Sequence, residues 1–126
     1  MVDDHTRLAE LLRDTAVGMV RRDAPDLSMR QLAVLLVCQL DEPPRTVASL
    51  ATMLNMSRAA IARALERLEQ LDLLKRVGHR YYAREIHVES TAAGRAFMLE
   101  LEATVLAAKE RMKQPPPHGS GPRHGG

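Results

Sequence analysis

Apolar side chains recur at steps of three and four almost throughout this sequence and alternate with polar ones in a single stretch, residues 74–89. That period predicts a mainly helical fold carrying one short two-stranded ribbon. Residues 4–22 place Leu8, Leu11, Leu12, Ala16, Met19 and Val20 at helical spacing, and Ala24-Pro25 ends the run because the residue before proline resists the α conformation. Ser28 opens a second helix, and Gln31 three residues on completes a capping-box spacing. The run Leu32 to Cys38 is apolar almost all round, which predicts a central, buried helix that stops at Asp41-Glu42-Pro43-Pro44.

Thr46 begins a third, short helix, Val47 to Leu54. After a turn at Asn55-Met56, Ser57 caps a fourth, Arg58 to Leu71. On this fourth helix Ile61, Leu65 and Leu68 form the apolar stripe, with Ala64 beside it; Arg58, Ala59, Ala62, Arg63, Glu66 and Arg67 lie mostly on the other faces. Leu74, Arg76 and Gly78 then alternate with Lys75, Val77 and His79, and Ile86 and Val88 with Glu85, His87 and Glu89, which reads as two short strands joined by a loop around Gly78 to Arg84. Thr91 then caps a last helix from Ala92 to about Lys113. Gly94 near its start disfavours the helix by about 1 kcal/mol against alanine, which implies a packing reason for it. From Gln114 the chain is mostly proline, glycine and histidine, with Ser120 and Arg123, has little to bury, and reads as a disordered tail. The domain plan is therefore an N-terminal helix (1–26), a central unit (27–91), a C-terminal helix (92–113) and the tail (114–126).

Composition narrows the function classes. Hydrophobic residues make up 45% of the chain but only Tyr81, Tyr82 and Phe97 are aromatic, so the core is aliphatic. No run of 18 apolar residues exists, which predicts no membrane span. Asp3 and Asp4 stand where a signal peptide needs cations, and the lone Cys38 fits a reducing cytoplasm. There is no glycine-rich phosphate loop, HExxH or CxxC, and histidines 5, 79, 87, 118 and 124 lack metal-site spacing, so no cofactor and no metal are expected. With no nucleophile–base pair or paired carboxylate in view, an enzyme is the weakest reading. The net charge of +2 conceals an asymmetry: residues 1–44 carry 5 basic and 8 acidic side chains, residues 45–84 carry 8 and 3, and residues 85–126 carry 5 and 5. A basic centre of this kind is an electrostatic footprint for nucleic acid.

Two short helices joined by a tight turn, the second exposing arginines, form a helix-turn-helix pattern. The major groove admits one helix, which needs an anchored inner face and a small or basic outer one. Ile61, Leu65 and Leu68 supply the anchor, Ala59, Ala60 and Ala62 permit close approach, and Arg63 can fork onto a guanine or a phosphate. Ser57 and Arg58 sit at the helix N-terminus, which favours phosphate. The hairpin that follows carries His79, Arg80 and Arg84 around Tyr81 and Tyr82, a basic ribbon suited to the DNA backbone or minor groove. Arg45 and Thr46, at the start of the motif, complete the candidate DNA-binding set.

From Leu27 to Gly94 these residues resemble the MarR-type winged helix-turn-helix transcriptional regulators. The matching features are Leu27-Ser28 with Gln31 and Val34-Leu35, Thr46 with Leu50-Ala51, Leu54, Ser57, Arg63, Arg67-Leu68-Glu69 followed by Leu73, and Val88 with Thr91-Ala92-Ala93-Gly94. The resemblance implies a homodimer, its outer helices pairing with the partner's. It also implies binding to a pseudo-palindromic operator in double-stranded DNA, usually as a repressor, with release by a small-molecule effector or by oxidation. By position, Ser57, Ala59, Ala60 and Arg63 would face the groove, Arg67 would support that surface or touch phosphate, and Arg84 would be the wing arginine. The chain departs from the pattern in three places: Tyr82 stands where the family usually has an aspartate, the wing is short, and one helix rather than about two follows it.

Blander readings apply to several residues. Glu66 and Glu69 are placed to pair with Arg58, Arg63 or Arg67 at helical spacing. Cys38 reads as a buried structural thiol, and the methionines as core filler rather than the lining of a ligand cavity. The alternative function is a winged-helix protein-interaction module without specific DNA binding.

Overall fold

The computed structural model describes residues 4–42, 45–78 and 87–113, with side chains from Arg7 onward. His79, Arg80, Tyr81, Tyr82, Arg84 and the tail from Gln114 lie outside the described residues. The elements run α1 (Asp4–Arg21), α2 (Met29–Leu40), α3 (Val47–Leu54), α4 (Arg58–Gln70), β1 (Leu74–Val77), β2 (His87–Ser90) and α5 (Ala92–Lys113). No described helix is long and apolar enough to cross a membrane.

The chain divides into two compact units, Ala24–Glu100 and Met1–Asp23 together with Leu101–Gly126. In the first, α4 packs on α2, α3 and β1, while α2 also meets β2. Val34, Leu35, Leu50, Ile61, Leu65, Leu68 and Leu74 are essentially inaccessible, and each such burial is worth about 1.5–3 kcal/mol. α2 is buried on one face only: Val34, Leu35 and Cys38 are enclosed, Leu32, Ala33, Leu36 and Val37 are half-buried, and Leu40 is exposed. All-round burial, as its composition predicts, would require neighbours on every side.

β1 and β2 form an antiparallel pair with Leu74 opposite Ser90 and Val77 opposite His87. Leu74 and Val88 point into the core; the remaining β1 residues are exposed, so the alternation expected there is not realised as burial. A third segment joins them. Thr46 bridges His87, and the Val88 N–H donates to the Arg45 carbonyl at 2.9 Å.

Two helix ends differ from the sequence-based bounds by one residue. α1 stops at Arg21 and α4 at Gln70 because Asp23 and Asp72 adopt left-handed conformations, φ 58° and 60°. Their N–H groups donate to Val20 and Glu69 carbonyls, closing each helix with aspartate where glycine is usual.

The packing reason for Gly94 lies in the α5 entry. Thr91 Oγ1 donates to the Asp72 carbonyl at 2.6 Å and accepts the Gly94 N–H at 2.9 Å. This draws the first turn of α5 onto the backbone before β1, so a Cβ on Gly94 would collide with the Leu73 carbonyl. Beside it, Gln39 Nε2 donates to Ser90 Oγ at 3.0 Å.

Cys38 is buried, and burial pushes its thiol up to about 11; Arg45 pulls it down and Asp41 raises it, both less strongly. Since the thiolate is the reactive form, Cys38 is expected to resist a disulfide reagent at pH 8 in the folded chain and to react fully in denaturant. Thiol titration of both states checks this, and rapid native-state labelling would contradict it.

In the second unit α1 and the C-terminal part of α5 run antiparallel. Arg7 Nη2 donates to the Met112 carbonyl at 2.8 Å, and Gly18 sits against Thr104. Leu8, Leu12 and Val20 are left exposed on α1, as is Leu106 on α5.

Candidate nucleic-acid interface

The helix-turn-helix is set by three local devices. Thr46 and Ser49 form a reciprocal capping box: the Ser49 N–H donates to Thr46 Oγ1 at 3.1 Å and the Thr46 N–H to Ser49 Oγ at 2.9 Å. Asn55 takes the left-handed conformation, φ 53°, which ends α3 and turns the chain through Met56. Ser57 Oγ then accepts the Ala60 N–H at 3.0 Å, starting α4. Asparagine suits that position because its short polar side chain tolerates positive φ better than most.

The apolar stripe of α4 is sealed: Ile61, Ala64, Leu65 and Leu68 are buried. The opposite face is therefore presented outward, with Arg58, Ala59, Arg63, Glu66 and Arg67 exposed and Ala62 half-exposed. Ala60 lies at the flank, half-buried. Ser57 is exposed but its hydroxyl is committed to the cap, and Thr46 is likewise a capping residue. Arg45 is occupied as well, its Nε and Nη2 donating to the Asp41 carbonyl at 3.2 and 2.8 Å, which closes the C-terminus of α2. His79, Arg80 and Arg84, the candidate wing residues, fall outside the described residues.

Glu69 does not pair along its own helix. Its carboxylate takes Arg76 on β1, with Oε1 accepting Nε at 2.8 Å and lying 2.7 Å from Nη2, while Oε2 accepts the Arg76 backbone N–H at 3.1 Å. Burial pushes the carboxyl up, but these Arg76 contacts outweigh it and hold the group below the ordinary glutamate value of 4.5. Among the described residues, Arg58, Arg63 and Arg67 consequently have no acidic partner. They are exposed on the same face as Glu66 and are held by no ion pair among the described residues.

A group whose folded pKa is depressed stabilises the fold above its unfolded value and loses that contribution as pH falls through the folded one. Glu69→Gln is therefore expected to cost about 0.5–1 kcal/mol near pH 7, at the upper end for a partly exposed pair because Oε1 takes two guanidinium nitrogens and Oε2 the backbone N–H. The difference from wild type seen at pH 7 should be lost at an acidic pH below the lowered folded-state value, where both states of Glu69 are protonated. Urea unfolding at the two pH values measures it; a pH-independent difference would assign the effect to something other than charge.

Sequence reasoning passed over Arg30. It is exposed beside the capping Ser28 and borders a shallow cleft of about 300 Å³ shared with Gln31, Met56, Ala60, Arg63 and Ala64. The cleft puts a second cation near the flank of α4, a proximity between residues 33 apart that only the α2–α4 packing creates.

Comparison with known proteins agrees with this geometry. A sequence model of the MarR family matches residues 18–85. No curated protein sequence matches the chain. Among solved structures, RV1404 from Mycobacterium tuberculosis superposes with a TM-score of 0.69 at 20% identity, covering 96% of this chain and 88% of that one. YusO from Bacillus subtilis gives 0.66 at 21% identity, covering 83% and 72%. CouR from Rhodococcus jostii RHA1, in a structure bound to p-coumaroyl-CoA, gives 0.59 at 20% identity, covering 82% and 70%. At these identities the superpositions speak for the fold.

Proposed function

The chain belongs to the MarR family, and from that premise we propose that it is a sequence-specific DNA-binding transcriptional regulator that acts as a homodimer on a pseudo-palindromic operator and represses by occupancy. The observation that carries the reading is the outward face of α4, where Arg58, Arg63 and Arg67 surround the small Ala59 without acidic partners among the described residues. Arg63 reads base edges; Arg58 and Arg67 engage phosphates, as do Arg80 and Arg84 from the wing, with Ser57, Ala59 and Ala60 allowing close approach. Arg45, Thr46 and His79 are proposed to complete the DNA-binding set. The mechanism is binding and release, with no catalytic step.

Dimerisation is assigned to α1 and α5. Leu12 and Val20 are 71% and 77% exposed, and Leu106 is 59% exposed, an apolar surface that a second copy would bury. A small-molecule effector is proposed as the signal; the structural neighbour CouR, bound to p-coumaroyl-CoA, supports looking for one.

The test is anisotropy of the purified protein with duplexes selected from genomic DNA, over a range of salt. Specific affinity of about 10⁻⁸–10⁻¹¹ M is expected, with log K falling linearly in log salt by about 0.9 per phosphate neutralised. A slope near zero, or no selected sequence, would reject DNA binding and leave the interaction-module reading.

A further inference from the structure

A second concave site lies within the unit made by α1 and the C-terminal part of α5. The two helices border an open cleft of about 450 Å³, within the range of small-molecule sites. Gly18 sets its depth: a Cβ there would stand 2.6 Å from Thr104 Cγ2, so the two helices meet closely behind the cleft. Four arginines, Arg13, Arg21, Arg22 and Arg111, line it against a single carboxylate, Asp14. Asp14 is shared, its Oδ1 accepting Arg13 Nε at 3.1 Å and its Oδ2 lying 3.8 Å from Arg111 Nε, so one acid orients guanidiniums from both helices. Arg21 and Arg22 have no acidic partner among the described residues.

Arginines on a solvated helix face usually diverge. Here arginines from two helices line one concavity, with a formal surplus of three positive charges over Asp14. At about 100° per residue, the exposed Leu8, Leu12 and Val20 centre on the side of α1 roughly opposite the cleft residues, with the partly exposed Val17 at the cleft itself. The planar forked donor of arginine matches carboxylate and phosphate oxygens in pairs.

We infer that this cleft binds an oxyanion, the phosphate or carboxylate group of a small soluble molecule. Arg21 and Arg22 provide the open donors, and the Asp14-braced pair of Arg13 and Arg111 forms the opposing wall. The assignment is independent of DNA binding.

The experiment is calorimetric titration of the full chain with inorganic phosphate and, separately, with succinate, at ionic strength held constant with sodium chloride. Saturable binding of at least one anion is expected. The Arg21→Ala/Arg22→Ala double variant should weaken it by about ten-fold or more, as removal of charge-assisted hydrogen bonds does. Arg111→Ala should weaken it from the other wall, and Arg95→Ala, outside the cleft, should leave it unchanged. Circular dichroism confirms that each variant is folded. Binding of phosphate alone identifies a phosphate ester as the ligand class, and binding of succinate alone a carboxylate. No saturable binding of either anion, or equal affinity in the double variant, overturns the assignment.

Discussion

Arg63→Ala is expected to lower the preference for the selected operator over unrelated DNA by about 1–3 kcal/mol, the worth of a bidentate contact to a base edge. The position dictates the form of the loss. Arg63 is exposed on the face of α4 opposite Ile61, Leu65 and Leu68, so truncating it removes no core contact and should leave the melting temperature unchanged. Among the described residues it has no acidic partner either, so the substitution orphans no carboxylate. A phosphate contact would behave differently: binding would weaken on all sequences alike, and the salt slope would fall by about one. Competition between operator and scrambled duplexes at two salt concentrations separates these outcomes. A uniform loss would move Arg63 from base reading to backbone anchoring, and no change at all would take it out of the interface.

Gly94→Ala is expected to destabilise the fold by about 1–3 kcal/mol, although helix propensity alone points the other way. Alanine inside a helix gains about 1 kcal/mol over glycine. Against that, the new methyl would overlap the Leu73 carbonyl, a backbone atom held by its neighbours, while Gln39 Nε2 stands at 3.1 Å. Relief requires moving the α5 entry away from the start of β1, and overpacking of this kind costs about 1–3 kcal/mol or more. The Thr91 bridge to the Asp72 carbonyl would stretch with it. Denaturant midpoints of wild type and variant measure the difference, and a stabilised variant would mean that this helix entry relaxes freely.

What could be read from the sequence was what local chemistry determines. Ser28 and Gln31 stand three apart and do cap each other, with the reciprocal bonds at 3.1 and 2.9 Å. Ile61, Leu65 and Leu68 repeat at a helical period and are buried. The Thr46 cap was legible, but its reciprocal partner was not, since the familiar signature asks for glutamate or glutamine at the third position and the chain supplies Ser49. The left-handed helix ends at Asp23 and Asp72 escaped for a similar reason, lacking the glycine that marks such turns. Longer-range features left no local trace. Glu69 reaches Arg76 across a helix–strand junction rather than along its helix, and Arg45-Thr46 pairs with a strand some 40 residues later. Gly94 announced an energetic anomaly, yet the carbonyl responsible belongs to Leu73, 21 positions earlier. At the candidate interface, the helix and its arginines were legible; which of them are already engaged, as Arg45 is, required the packed structure.

The pairing of Val77 with His87, together with the bridge from His87 to Thr46, has a mechanical consequence. Three separate stretches of chain are stitched at one level of the ribbon, so the segment between Val77 and His87 departs from and returns to the same clamped point. Changes in its length alter the closure entropy only slowly, by about 0.6 kcal/mol per doubling, and need transmit no force to α4. The stretch of sequence between Val77 and His87 can therefore be lengthened, shortened or rewritten while α4 keeps its footing. On the proposed DNA-binding function, affinity for the backbone and choice of sequence would then be free to vary by separate mutations.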